Sequence, residues 1–348
     1  MDRVLRVVVI DDSAYVRKVV REILSRSPFV EVVGTARDGR EALDVVERLE
    51  PDVVTCDLIM PELDGVDFVR EQMQRRPVPI IIMSIANETA EAALTALDAG
   101  AIDFVQKPTA LASEKIFEVS SELIDKVKAA GNITLNKLPT ATLPTPAKSV
   151  TTPSIAGSHS VDLVAIGIST GGPQALKRLI PQLPEDFPVP VVMVMHMPVG
   201  YTEMYAAKLN DLSQLEVREA AEGDEVKAGR VFLAPAGRHL KFVHDASGKV
   251  SIHLDAKPFD SLHRPSVDVL FQSAAEVYRN RVLGVVMTGM GSDGKKGAAW
   301  IKSQGGLIFT EAESSCVVYG MPAVVVESGL SDKSVSLADM ASAIREVV

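Results

Sequence analysis

Gly167-Ile-Ser169-Thr-Gly171 follows the apolar run Val161–Ile168 and precedes a helical pattern opened by Pro173. A G-x-S-x-G text at a strand-to-helix turn lifts a serine hydroxyl out of a sheet and leaves backbone N–H groups for an oxyanion. Ser169 therefore reads as a nucleophile for acyl transfer. Such a serine needs a base to take its proton and a third group to orient the base. His196 directly follows the apolar run Val189–Met195, and Asp293 lies in the glycine-rich stretch Thr288–Gly294 after the run Val282–Met287. If those runs are neighbouring parallel strands, all three groups sit on one sheet edge. Taken singly, His196 reads as a hydrogen-bonding structural residue and Asp293 as part of a turn.

A second set of reactive side chains lies in the first third of the chain. Asp11 and Asp12 end the first apolar run and Asp57 the third, while Ser84 follows the fourth and Lys107 the fifth. Three carboxylates held together repel one another unless a cation joins them, and oxygen-only ligation with room for water suits Mg²⁺. With an ammonium and a hydroxyl on the same edge, the set reads as a phosphoryl-handling site, where a carboxylate attacks phosphorus and Lys107 with Ser84 holds the phosphoryl oxygens. Any one of these aspartates alone would be an ordinary strand-end acid.

The elements that must position these groups are legible as period and punctuation. Arg6–Ile10, Val30–Gly34, Asp52–Cys56, Pro79–Met83 and Ala101–Val105 read as five strands separated by amphipathic helices, which implies a parallel sheet. Val16, Val19, Val20, Ile23 and Leu24 fall at helical spacing with charged residues between them. From Lys126 to Ser160 the sequence turns to Thr, Pro, Ser, Ala and Lys and reads as a flexible tether. This predicts domains at 1–125 and 161–348 with a linker at 126–160. The second domain reads as a doubly wound, mostly parallel α/β unit with strands at Val161–Ile168, Val189–Met195, Val282–Met287 and Leu307–Thr310. Glu219–Val243 and Val250–Leu254 read as an inserted β-hairpin region. Val267, Leu270, Phe271, Ala274 and Tyr278 mark the core face of a helix.

Composition narrows the function classes. The 348 residues are 47% hydrophobic and 24% charged, enough for two well-cored domains. A formal net charge of −10 argues against a broad nucleic-acid face. No run approaches a membrane span, and Met1–Arg6 offers no apolar leader core before Asp11, so a cytoplasmic location is expected. Cys56 and Cys316 are the two cysteines and make no disulfide framework or zinc pattern; both are expected to be reduced and structural. His239, His244, His253 and His263 lack close thiol or carboxylate partners and read as surface or local structural residues rather than zinc ligands.

Residues 3–125 resemble the response-regulator receiver family through Asp11, Asp12, Asp57, Ser84 and Lys107-Pro108. The resemblance implies a flavodoxin-like five-stranded sheet, Asp57 as phosphoacceptor, and Mg²⁺ held by Asp11, Asp12, Asp57 and the backbone carbonyl of Ile59. It also implies Phe104 as the switch aromatic, a Lys107–Pro108 bond that can be cis, and a histidine kinase as phosphodonor. Ser84 stands where many receivers have Thr, and Phe104 where Tyr is frequent.

Residues 161–348 resemble the catalytic domain of chemotaxis protein-glutamate methylesterases. The matching text is Ile166–Pro173, Met195–Pro198, Ala234–His239, His263–Phe271 and Thr288–Gly294. The resemblance implies Ser169 as nucleophile, His196 as base and Asp293 as its partner, with the Thr170 and Met290 amides as oxyanion donors. No cofactor is expected for the esterase step. Substrates would be γ-glutamyl methyl esters on chemoreceptor cytoplasmic helices, with deamidation of receptor glutamines as a second reaction of the same site. Joining a receiver to a hydrolase further implies inhibition by the unphosphorylated receiver and relief on phosphorylation.

Two other readings compete. One is a catalytically degenerate, phosphorylation-dependent binding module, which the intact Ser169, His196 and Asp293 disfavour. The other is an unrelated α/β-hydrolase esterase, which expects the order Ser, acid, His and several strands of its own sheet before the elbow. Here the order is Ser169, His196, Asp293, and the preceding strands belong to the receiver.

Overall fold

The computed structural model describes residues 3–85, 90–107, 113–133, 161–244, 248–258 and 260–348. The chain divides into two compact units, Met1–Ala141 and Thr142–Val348.

In the first unit, strands β1 (Leu5–Ile10), β2 (Val30–Ala36), β3 (Val53–Asp57), β4 (Ile80–Ser84) and β5 (Asp103–Gln106) form one parallel sheet in the order β2-β1-β3-β4-β5. This is the doubly wound order whose ligand crevice lies outside the carboxyl ends of β1 and β3. Every residue of β3 and β4 is buried, as expected for strands covered on both faces. Helices α1 (Ala14–Leu24), α2 (Gly39–Leu49) and α3 (Gly65–Arg75) start at that edge, capped by Ser13, Asp38 and Asp64. Their caps accept the otherwise unpaired first-turn amides of Val16, Glu41 and Asp67 at 3.4, 2.8 and 2.8 Å. Helices α4 (Ala90–Ala99) and α5 (Ser113–Ala130) complete the layers.

The end of α5 corrects the domain boundary read from composition. The helix runs past Asp125 to Ala130, with Val127 and Ala130 buried. Lys126 is no tether residue: its Nζ pairs with Asp103 and Glu122 at 3.1 Å each and donates to the Phe104 carbonyl at 2.8 Å. Long polar side chains look like linker text, yet here one is folded against β5. The rest of the expected tether from residue 134, and Pro108, lie outside the described residues.

The second unit is built on seven strands, all paired in parallel: β6 (Leu163–Ile168), β7 (Val191–Met195), β8 (Glu216–Glu219), β9 (Arg230–Leu233), β12 (Val282–Val286), β13 (Leu307–Glu311) and β14 (Lys333–Val335). Their order is β14-β13-β12-β6-β7-β9-β8, so the winding reverses at β6. Strands β10 (His239–His244) and β11 (Val250–Asp255) form a separate antiparallel hairpin. Helices α6 (Gly172–Leu179), α7 (Thr202–Leu212), α8 (Val267–Tyr278), α9 (Lys295–Ser303), α10 (Met321–Glu327) and α11 (Leu337–Arg345) alternate with the strands. All five residues expected on the core face of α8 are buried.

The hairpin reading of Glu219–Val243 is only half right. β8 and β9 extend the main sheet in parallel, in the register Val217↔Val231, and β9 pairs with β7. Their connection reverses direction by lying along β11, where Gly223 N donates to Ile252 O at 2.8 Å and Val226 N to Val250 O at 3.0 Å. Cys56 and Cys316 are buried free thiols, as expected. Among the described residues no helix is long and apolar enough to cross a membrane.

Candidate active site

Ser169 follows β6, the strand at which the winding reverses, and its neighbours on both sides are fixed by sheet register. Ile168 pairs with Met195, and the His196 amide continues that ladder to Ile168 O at 3.2 Å, so Ser169 and His196 are the next residues out on adjacent strands. On the other side, Met287 N donates to Gly167 O at 2.9 Å and Ser169 N to Thr288 O at 3.0 Å. The turn after Ser169 closes with a Gly172 N bond to Ser169 O at 2.7 Å. Gly171, at φ +80°, takes the left-handed conformation there, while Ser169 is not among the positive-φ residues. The backbone strain usual at an α/β-hydrolase elbow is thus absent from this serine.

His196 turns Nε2 to Asp293 Oδ2 at 2.8 Å. Nδ1 is buried and makes no hydrogen bond among the described residues. A carboxylate only accepts, so the ring proton belongs on Nε2 and the Nδ1 lone pair is free to take a proton. Asp293 is saturated: Val267 N also reaches Oδ2 at 2.8 Å, while Ser266 Oγ, Asp268 N and Gly294 N reach Oδ1 at 2.9, 2.9 and 3.0 Å. Burial opposes its charge, but the bond and charge of His196 and the Asp268 and Val267 amides outweigh burial and hold the carboxyl well below the usual range.

The loop from Thr288 is locked beside the serine. Thr288 N donates to the buried Glu311 carboxylate at 2.9 Å, and its hydroxyl donates to Thr170 O at 2.9 Å while accepting from Val318 N at 3.0 Å. Burial pushes the Glu311 carboxyl up, against the pull of the Thr288 amide and the Ser315 hydroxyl. Gly289 is required by space, because a Cβ there would lie 2.7 Å from Ser169 Cβ. Neither the Thr170 nor the Met290 amide has an acceptor among the described residues, which leaves both available beside Ser169.

At the carboxyl edge of the first sheet, ligand oxygens of Asp11, Asp12 and Asp57 lie within 4.8 Å of one another. Lys107 Nζ reaches Asp57 Oδ2 at 2.7 Å and Asp11 Oδ2 at 2.9 Å. Burial raises the Asp57 carboxyl despite the Lys107 bonds that favour its charge. Burial also works against charge on Lys107, yet its bonds to Asp57 and Asp11 hold the ammonium above the ordinary lysine range. Ser84 and Phe104 are both buried, and Lys107 N donates to Ser84 O at 2.8 Å, which fixes the β4 and β5 ends side by side. Ile59 N meets Asp57 Oδ1 at 3.3 Å. Three acids against one lysine leave this pocket short of positive charge, which fits a divalent cation.

A family model for CheB methylesterase matches residues 164–344, and one for the response regulator receiver domain matches residues 7–118. The chain is 47% identical to protein-glutamate methylesterase/protein-glutamine glutaminase 5 of Myxococcus xanthus, over 99% of this chain and 98% of that one. The chain belongs to the CheB methylesterase family. A protein-glutamate methylesterase/protein-glutamine glutaminase of Thermotoga maritima is 41% identical over 95% of both chains. The crystal structure of the Thermotoga maritima CheB methylesterase catalytic domain matches 54% of this chain and 100% of its own length, at 42% identity and a TM-score of 0.53.

This CheB methylesterase holds more in its site than the motifs named. His263 stacks on His196 with ring centroids 3.9 Å apart, and His239 is wholly buried, its ring nitrogens meeting Pro258 O at 3.1 Å and Ser266 N at 3.2 Å. His239 is thus the local structural residue the sequence allowed, whereas the stacking of His263 on His196 was not foreseen, because loop text does not show which loops fold over the sheet edge. Ser266, Asp268 and Glu311 were also missed. The one available signal was Ser266-Val-Asp268 at a helix start, a pattern rich in capping groups.

Proposed function

We propose that this methylesterase hydrolyses γ-glutamyl methyl esters on chemoreceptor cytoplasmic helices through Ser169, His196 and Asp293. The observation that carries the assignment is the His196 ring: one nitrogen is committed to Asp293 at 2.8 Å, and the other is buried without a partner among the described residues, on the residue that follows Met195 as Ser169 follows its register partner Ile168. Ser169 Oγ attacks the ester carbonyl while His196 Nδ1 takes its proton. The oxyanion is met by the Thr170 and Met290 amides, each such donor being worth roughly 10²–10³ in kcat. His196 returns the proton to the leaving methoxide, methanol departs, and a γ-glutamyl ester remains on Ser169. Water then attacks this ester, giving its proton to His196, and collapse releases glutamate and restores the Ser169 hydroxyl. Asp293 orients the imidazole and stabilises the imidazolium without taking the proton. A glutamine amide passes through a similar oxyanion with ammonia leaving, so the same residues support deamidation. The esterase step calls on no cofactor.

In the receiver, Asp57 is the phosphoacceptor from a histidine kinase, and Lys107 and Ser84 hold the phosphoryl oxygens, with Phe104 as the aromatic that responds. Asp11, Asp12, Asp57 and the Ile59 carbonyl would hold Mg²⁺, which when bound screens the charge gathered on the phosphoryl oxygens. The unphosphorylated receiver inhibits the esterase and phosphorylation relieves it. This reading places the protein in the cytoplasm, where kinase and receptor helices are found. Methanol release from methylated receptor membranes tests the whole reading.

A further inference from the structure

Helices α8 and α9 each begin without a side-chain cap of their own: neither Ser266, before α8, nor Gly294, before α9, bonds a first-turn amide through its side chain. Helix starts leave N–H groups unpaired, and here they are satisfied crosswise. Asp293, which precedes α9, places its carboxylate on the Val267 and Asp268 amides of α8 at 2.8 and 2.9 Å. Asp268, in the first turn of α8, places Oδ1 on the Gly294 and Gly297 amides at 2.9 and 2.7 Å. Each helix is capped by the other's acid.

The exchange requires close contact. A Cβ on Gly297 would lie 2.5 Å from Phe271 Cβ and 3.0 Å from Asp268 Cα, so only glycine lets the two helix starts meet. Asp293 meanwhile sits in a segment whose Gly291 and Gly294 both adopt positive φ, and such a backbone is not held by its own conformational preferences. The Asp268 bond to Gly294 N, the peptide that leaves Asp293, supplies that restraint.

We infer that Asp268 is a positioning residue for the reaction, fixing the place at which the Asp293 carboxylate meets His196. This rests on the triad reading above. Asp268 acts through the backbone that follows Asp293, at the Gly294 and Gly297 amides. Because both accepted bonds go to a single oxygen, an amide at this position can make them too, so geometry rather than charge is what Asp268 contributes.

The test compares full-length wild type with Asp268→Ala and Asp268→Asn under phosphorylating conditions. It reads methanol release together with the downfield proton NMR signal of the His196 Nε2–H donated to Asp293, assigned by its absence in His196→Gln. Asp268→Ala is expected to lose about 10²-fold in kcat at nearly unchanged KM, the usual scale for an ångström-sized misplacement, and to lose the downfield signal while staying folded. Asp268→Asn is expected to keep kcat within threefold and to keep the signal. Should Asp268→Ala not fold, Asp268→Glu, which retains the charge but displaces the oxygen, takes its place with the same expected loss. A folded Ala or Glu variant with wild-type kcat and signal would overturn the inference, and so would an Asn variant as impaired as Ala. If the wild type itself releases no methanol, the esterase reading fails, whereas the NMR comparison still decides the positioning role.

Discussion

His263 lies flat against His196, with ring centroids 3.9 Å apart and planes 20° from parallel. The stacked ring covers one face of the His196 imidazole, while Asp293 fixes one of its edges, so His196 is held in two directions at once. Ser261 Oγ donates to His263 O at 2.9 Å and steadies the loop that delivers the ring.

Stacked aromatic pairs are worth roughly 0.5–1.5 kcal/mol beyond area burial. His263→Ala should therefore lower kcat by about tenfold with little change in KM, as the base samples unproductive rotamers. His263→Phe, which keeps a flat ring, should retain most of the activity. Equal losses in both variants would mean that the imidazole's polar atoms, rather than its stacking, are what matters.

Asp293 makes acid stability predictable in sign. Its folded carboxyl lies below the unfolded value of 3.8, so its contribution is present above about pH 4 and is lost as pH falls through the folded range. Denaturant unfolding of wild type and Asp293→Asn should differ most near neutral pH, with the gap shrinking below about pH 4. Glu311 titrates with the opposite sign, burial having raised it, but it is common to both proteins and cancels in the difference, whereas Asp268, raised by burial and in part by the Asp293 charge, is relieved in Asp293→Asn and narrows the gap near neutral pH. A gap independent of pH would show that Asp293 is not held ionised by its surroundings.

Strand ends, helix faces and the two reactive sets were legible because hydrophobic period and residue type are local. The pairing of β8 with β9 was not, since alternation in Arg230–Leu233 says nothing about which strand lies alongside or in which direction. His263 and Asp268 were hidden for a related reason. One places its ring on the His196 imidazole from a loop distant in sequence, the other accepts from backbone amides of a separate helix, and neither relation leaves a spacing pattern. Lys126 read as tether because a lysine near proline-rich text resembles solvated chain, until Asp103, Glu122 and Phe104 O are seen around its ammonium.

The buried Lys126 ties α5 to β5, and removing one partner of such a cluster leaves Asp103 uncompensated, which costs about 3–5 kcal/mol. Lys126→Ala should lower the unfolding temperature of the receiver while leaving the transition of the catalytic unit in place. Calorimetry of the full chain resolves the two, and an unshifted receiver transition would show the cluster to be energetically neutral.

Regulation by the receiver predicts that deleting residues 1 to about 150 raises basal esterase activity. Initial rates of methanol release without phosphodonor compare the two chains directly. An unchanged or lower rate in the shortened chain would rule out inhibition in the unphosphorylated state.

The central claim is that Ser169 is the nucleophile of a phosphorylation-gated methylesterase. Its most direct test is methanol release from methylated receptor membranes, with and without a small phosphodonor, by wild type, Ser169→Ala and Asp57→Asn. The wild type should release methanol faster when the phosphodonor is present, Asp57→Asn should show no such stimulation, and Ser169→Ala should fall by about 10⁴-fold or more under every condition. Wild-type rates retained by Ser169→Ala, or no methanol from the wild type with phosphodonor, would contradict the account.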